Sequence, residues 1–282
     1  MRKFLLYSTL TIIGLITAFI IYLSVFGIKT ERFNDFIKEK VNIIHPKLSV
    51  NIDDVFLKLN IKEKTINIDT QNASLYINKE FINLDKINLS LDILKFFKKE
   101  DSIKKIRILS KKNKIKNITN FLNSYKFSIP RLIIYNQIED GNVEFSVNIN
   151  FNDNSQKKIT YDAKGKISEG RLNVFDNIKI KDINFNFNIK DNKYDFKKTS
   201  FNYQNINFYS KEILIKKFNK TFEIEGDLES NEGLLDINTI SKIFNINLNI
   251  LENKKILAKT TNEFKFILNS KRKVKNLDLV SK

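Results

Sequence analysis

Adjacent carboxylates at Asp53-Asp54, Glu100-Asp101 and Glu139-Asp140 are where general acid/base chemistry would be sought in this chain. Two carboxylates act on one bond only when both face it. Neighbours in an extended chain point to opposite faces, so without a bulge none of these pairs can share a substrate. At strand ends and turns such pairs sit in water. The one histidine, His45, has neither a second histidine nor any cysteine to complete a metal site, and it reads as a loop residue. Without cysteine, a zinc ribbon, an iron–sulfur site, a disulfide-stapled module and a Cys/His nucleophile are all excluded. P-loop, G-x-G-x-x-G, G-x-S-x-G and H-E-x-x-H motifs are missing as well. No residue is assigned as catalytic, cofactor-binding or metal-ligating, and the expectation is a protein without cofactor that is not an enzyme.

The 282 residues carry 49 Lys+Arg against 32 Asp+Glu, a formal charge of +17. Such an excess suggests a nucleic-acid partner, because clustered cations release counterions from phosphates. Here the excess is nearly all lysine and accompanies heavy use of Ile, Asn and Phe, the composition of A+T-rich coding. Its densest runs, Lys104-Lys105-Ile106-Arg107, Lys111-Lys112-Asn113-Lys114 and Lys271-Arg272-Lys273, are short and bordered by strand-like apolar positions. Solvated faces account for them, and no nucleic acid is expected as a partner. A hydrophobic content of 42% is too high for a disordered chain.

The elements that must position any site begin with Phe4 to Ile28, uncharged throughout. As a helix this stretch would be about 37 Å long, enough to cross a hydrocarbon core of about 30 Å with tilt. It is longer than a usual signal-peptide core and no A-x-A-like site follows, which favours an uncleaved anchor over residues 1–29. Cation counts on the two sides favour the opposite orientation, but large domains translocate largely regardless of charge, so the short Met-Arg-Lys tail is placed inside and the body outside. Residues 30–46 follow as an amphipathic helix, with Phe33, Phe36, Ile37, Val41 and Ile44 on one stripe, Thr30 as N-cap and a stop at His45-Pro46.

From residue 47 to 282 the period changes to two, and one domain of antiparallel strands, each with one apolar face, is expected. Val55, Leu57 and Leu59 set the rhythm; Val143, Phe145, Val147 and Ile149 continue it, as do Phe185, Phe187 and Ile189, and then Phe222 and Ile224. Ile178 with Ile180, Phe201 with Tyr203, Ile206 with Phe208, and Ile213 with Ile215 read as further short strands. Turns fall at EDGN (139–142), NDNSQ (152–156), KDNK (190–193), SNEG (230–233) and ENKK (252–255). Segments 91–99, 116–125 and 236–244 have helical spacing and read as short helices on the sheet. About fifteen strands at about 4.8 Å would make a ribbon some 70 Å across. Either it folds into a closed sandwich or barrel, which the small size of exposed apolar patches on soluble proteins favours, or it curls into a trough lined for acyl chains.

A resemblance bears on that choice. The basic tail, the span, TERFNDFIKEKV and then LSVNIDDVFLKLNIKEKTINI together resemble the N-terminal region of the AsmA-like proteins of diderm bacteria, the group that includes the YhdP and TamB types. The likeness is carried by about the first eighty residues, above all by the strand pair around Val50 to Asn60. It implies a single-pass protein of the bacterial inner membrane, with its bulk in the periplasm as a curved, taco-like β-groove. That groove would bind acyl chains and take part in phospholipid transport between inner and outer membranes and in outer-membrane integrity. Its lining would be Val55, Leu57, Leu59, Val143, Phe145, Val147, Ile149, Phe185, Phe187, Ile189, Phe222 and Ile224. The last residues, KVKNLDLVSK, still alternate, so the chain either continues in a longer conduit or offers its edge to an envelope partner by strand addition. The alternative from another class is a non-catalytic assembly factor for outer-membrane proteins built as a closed β-sandwich.

Overall fold

The computed structural model describes residues 2–44, 46–98, 102–151, 159–174, 178–219, 221–231, 233–236, 255–269 and 274–281. Outside them lie His45, the Glu100-Asp101 pair, the turn at 152–156, the helix expected at 236–244 beyond its first residue, the alternating stretch 246–250 and the run 271–273. The chain divides into two compact units, 1–111 with 146–161, and 112–145 with 162–282.

In the first unit, helix α1 (Arg2–Val25) turns four of its hydroxyls onto its own backbone. Thr9, Thr11, Thr17 and Ser24 each donate to the carbonyl four residues back at 2.8–2.9 Å, so these groups need no water. Among the described helices it alone is long and apolar enough to cross a membrane, as an anchor or a signal sequence does. The helix ends earlier than the apolar stretch because Gly27 turns the chain at φ +73, where a Cβ would lie 2.7 Å from the Leu57 carbonyl oxygen. Strand β1 (Ile28–Lys29) then pairs with Leu57 and Phe56. Helix α2 (Arg32–Ile44) starts one residue later than a Thr30 cap would place it, and the Thr30 N–H donates to the Val55 carbonyl at 2.9 Å, extending the pairing of β1. Ile37 buries its side chain, and the helix packs on β2 (Leu48–Asn51).

Strands β3 (Asp54–Asn60), β4 (Thr65–Gln71), β5 (Ser74–Ile77) and β6 (Glu80–Asp92) follow, then α3 (Ile93–Phe97) and β7 (Ile103–Ser110). Asp92 starts α3 by accepting from the N–H groups of Leu94 and Lys95 at 2.9 and 3.1 Å, and the Lys95 N–H chiefly holds its carboxyl below the usual range. Strand β6 pairs along one edge with β5 over its first half and β4 over its second, and along the other with β7, where the register shifts between Leu84 and Lys86. The result is a packed core in which Ile68, Ile77, Leu84 and Leu91 lose essentially all contact with solvent.

The second unit opens with β8 (Asn113–Lys114), α4 (Ile115–Tyr125) and α5 (Ile129–Gln137); α5 is absent from the sequence reading. Strand β9 (Ile138–Phe151) runs through the proposed EDGN turn without breaking, Gly141 absorbing the irregularity at φ 142. Its second half belongs to the first unit. Long strands β10 (Ile159–Val174), β11 (Ile178–Lys190), β12 (Lys193–Tyr203), β13 (Ile206–Phe218) and β14 (Thr221–Ser230) follow. Last come β15 (Gly233–Asp236), β16 (Lys255–Ala258), β17 (Thr261–Leu268) and β18 (Val274–Ser281). Ile178 with Ile180 therefore belongs to the same strand as Phe185 and Phe187, and Ile206 with Phe208 to the same strand as Ile213 and Ile215. The expected turn at 190–193 joins β11 to β12 through left-handed Asp191, and a further tight turn, through left-handed Gln204 and Asn205, joins β12 to β13.

The protein is mainly β, and its principal sheet is antiparallel and long, ordered β1-β3-β4-β6-β7-β9-β10-β11-β12-β13-β14-β17-β18 with β2, β5 and β8 paired beside it. Strands β15 and β16 pair only with each other among the described residues. Among the described residues no strand pairing joins β1 to β18.

Candidate functional site

The sheet of the second unit sorts its side chains by face. Cross-strand partners share a face, so the register can be followed from strand to strand. One row runs Gly165, Phe187, Phe196, Ile213, Gly226, Phe264; the next runs Ala163, Ile189, Tyr194, Ile215, Ile224, Phe266. Rings interlock along and between rows: Phe185 meets Phe196 edge-on at 5.6 Å, and Phe264 leans on Phe266 at 6.0 Å. The Phe187 ring lies over Gly165, where a Cβ would come within 2.5 Å of the ring and 2.3 Å of the Glu144 carbonyl oxygen. Gly165→Val is accordingly expected to cost about 1–3 kcal/mol in urea unfolding.

The opposite face carries charge. Lys197 pairs with Glu212 at 3.1 Å, Lys216 with Glu225 at 3.0 Å, and Lys265 reaches Glu223 and Glu225 at 2.9 and 3.4 Å. Lys197 holds the Glu212 carboxyl below its ordinary range, Lys216 and then Lys265 do so for Glu225, and the Lys197 and Lys265 ammonium groups are raised in turn. A lowered carboxyl contributes stability fully above its unfolded pKa, about 4.3, and loses it as pH falls through the folded value. A raised lysine contributes fully below about 10.4 and loses it as pH rises through the folded value. The urea midpoint is expected to fall at both ends, to respond less in molar salt, and to show a shallower acid limb in Glu225→Gln.

In β10 to β13 an inserted residue shifts the phase of alternation so that one face stays apolar. In β11 the apolar positions are even at Ile178 and Ile180 but odd from Ile183 to Ile189; Asp182, left-handed at φ 52, sits between them. Glu169 does the same in β10 at φ 56, and Lys198 in β12 at φ 53, each beside a register shift. In β13 the shift lies between Tyr209 and Ile213. Asp227 holds it there by accepting from the Lys211 and Glu212 N–H groups at 2.9 and 3.1 Å. Strand β14 pairs with β17 without a break, so Ser230 and Ile224 share a face, and their partners Phe208 and Ile215 share it too. The apolar face thus continues across the seam through Phe201 and Phe208, stacked at 5.0 Å.

This face is open to solvent in a way the first unit's core is not. Among the described residues, Tyr203 and Ile206 are the only apolar ones buried in β10–β14 and β17, whereas Phe185, Phe187, Ile189, Phe196, Phe222 and Ile224 stay half-buried. In the first unit the corresponding rows are Val55, Thr70, Ile87, Ile108, Val147 and Leu57, Ile68, Leu89, Ile106, Ile149. Leu57, Leu59, Val147 and Ile149 are half-buried there. Val55, at 2% exposure, and Val143, at 7%, are core residues whose surface other side chains already cover, so neither is free to line a binding face. Phe145 is half-buried on β9. Tyr194 and Phe196 went unread as face residues because Lys198 breaks their alternation with Phe201.

The seam also frames a depression of about 340 Å³ lined by Lys198, Ser200, Tyr209, Ser210, Lys211, Asp227 and Glu229 among others. Its carboxylate Asp227 is committed to the backbone bulge. Among the described residues no group of three or more His, Asp or Glu could hold a metal ion. Comparison with protein-family models, with curated proteins and with solved structures finds no match to this chain.

Proposed function

We propose that this chain is an AsmA-like protein anchored by α1 in a bacterial inner membrane, with its sheet in the periplasm. There it holds phospholipid acyl chains on the apolar face and takes part in their passage between inner and outer membranes. The observation that carries this reading is the pair of apolar rows from β10 to β17, only partly buried where a globular core would be covered. Burying such surface is worth about 25 cal/mol per Å² and demands no fixed polar partner, so an acyl chain can be held and still slide. Phe187, Phe196, Ile213, Ile215, Ile224 and Phe264 are the residues assigned to contact it.

Benzoylphenylalanine placed singly at Phe187, Ile224 and Glu225 of the full chain in cells tests the assignment. Phospholipid adducts are expected at 187 and 224 and not at 225, which faces the charged side. Adducts at none of the three positions would overturn the lipid reading.

A further inference from the structure

Helices α4 and α5 form a hairpin whose outer surface is apolar and uncovered among the described residues. Leu122, Tyr125, Phe127, Ile129, Ile133 and Ile134 are each between 40 and 65% exposed, while Thr119 and Phe121 are the buried residues of α4. So dense a cluster of large exposed apolar side chains within thirteen residues is not ordinary surface.

The hairpin is held in shape independently of any partner. Ser128 precedes α5, Pro130 stands in its first turn, and the Arg131 guanidinium reaches back to cap α4, donating to the carbonyls of Leu122, at 2.9 Å, and Lys126. Lys116 lies over the Tyr135 ring at 5.7 Å, tying the two helices together. The apolar surface is therefore presented without an ordering cost at the moment of contact.

Charge selects the occupant. Residues 115–137 contain Lys116, Lys126 and Arg131 and no Asp or Glu. Aliphatic side chains and aromatic rings beside unopposed cations suit the boundary where acyl chains meet anionic headgroups. A chain carrying a helix able to span a membrane also brings this surface to a bilayer at high effective concentration. We infer that the α4–α5 hairpin is a second, peripheral membrane contact that seats Phe127 and its neighbours in the interface of an anionic bilayer. This does not depend on the sheet's carrying lipid.

The chain has no tryptophan, so Phe127→Trp gives the full-length protein a single reporter at a solvent-exposed site. It is reconstituted in vesicles made with dibrominated phosphatidylcholine and about one third phosphatidylglycerol, with Tyr209→Trp, on the charged side of the sheet, as the comparison. The indole of Phe127→Trp is expected to emit at shorter wavelength and to be quenched at least about twofold by the brominated lipid. Adding Lys126→Glu should weaken that quenching, and the indole of Tyr209→Trp should stay unquenched. Iodide quenching at position 127 without lipid quenching overturns the inference. So does protection from both quenchers, which would place the hairpin against protein, whether the sheet or a second copy. Equal quenching in vesicles lacking phosphatidylglycerol overturns the anionic assignment, and equal lipid quenching at position 209 overturns the hairpin as the specific point of contact.

Discussion

Aspartate at position 187 is expected to abolish lipid adducts at Ile224 while the chain stays folded, whereas aspartate at position 68 is expected to unfold the first unit. Both substitutions replace an apolar strand residue with a carboxylate; what differs is the surroundings. Phe187 is only partly buried, so the new carboxylate can reach water, and the loss is that of a partly buried ring, about 1–2 kcal/mol. The hydrated charge then lies across the path of an acyl chain. Ile68 has no solvent exposure, and a carboxylate there costs more than about 4 kcal/mol, a large share of a domain's stability. Urea unfolding and benzoylphenylalanine crosslinking on the same variants read both quantities. If Phe187→Asp unfolds the protein as Ile68→Asp does, the face is a covered core and the lipid reading fails.

Deleting Asp182 is the second test with a large expected effect. One residue fewer returns β11 to strict alternation, which sends Ile178 and Ile180 to the charged face and brings Lys179 and Lys181 to the apolar one. It also undoes the pairing of Ile180 with Leu172 and Tyr203. Two partly buried isoleucines misplaced at about 1 kcal/mol each, with the broken register added, predict a loss of about 2 kcal/mol or more. Asp182→Gly keeps the residue count and relieves the left-handed backbone, so it is expected to be neutral or to stabilise by up to about 1 kcal/mol. The bulge should survive that change, because Asn184 donates to the Asp182 carbonyl at 2.7 Å and accepts from the Glu169 N–H at 3.1 Å. Equal effects of deletion and glycine would show that phase is not what Asp182 supplies.

These bulges also mark where the sequence stops being legible. Alternation identifies the strands and the apolar side of each because the period of two is local. A one-residue phase change looks the same whether the chain turns or merely bulges, so β11 and β13 each read as two strands. Only the neighbouring strand decides: Ile180 finds Leu172 and Tyr203, and Ile183 finds Gly170. The EDGN segment failed for the same reason, since Gly141 suits a bulge as well as a turn. Helix α5 was hidden by its contiguous Leu132-Ile133-Ile134 run, which has no helical gap. The signal that could have found it is Ser128 ahead of a first-turn proline at Pro130. Burial was out of reach altogether, because Val55 and Leu57 obey one pattern and only packing by other elements distinguishes them.

The junction at Gly27 has a consequence for how the chain can be processed. Ile28 and Lys29, immediately after the apolar helix, are a rung of the sheet, with Lys29 ion-paired to Asp54. A peptidase needs an extended, unengaged substrate, and once β1 has paired with β3 that stretch is no longer one. Cleavage and folding therefore compete in time for the same residues. A cut beyond Lys29 made before the sheet forms removes β1 and exposes the edge of β3, including the Val55 carbonyl that Thr30 otherwise occupies. A chain that folds first shields the segment and keeps its helix.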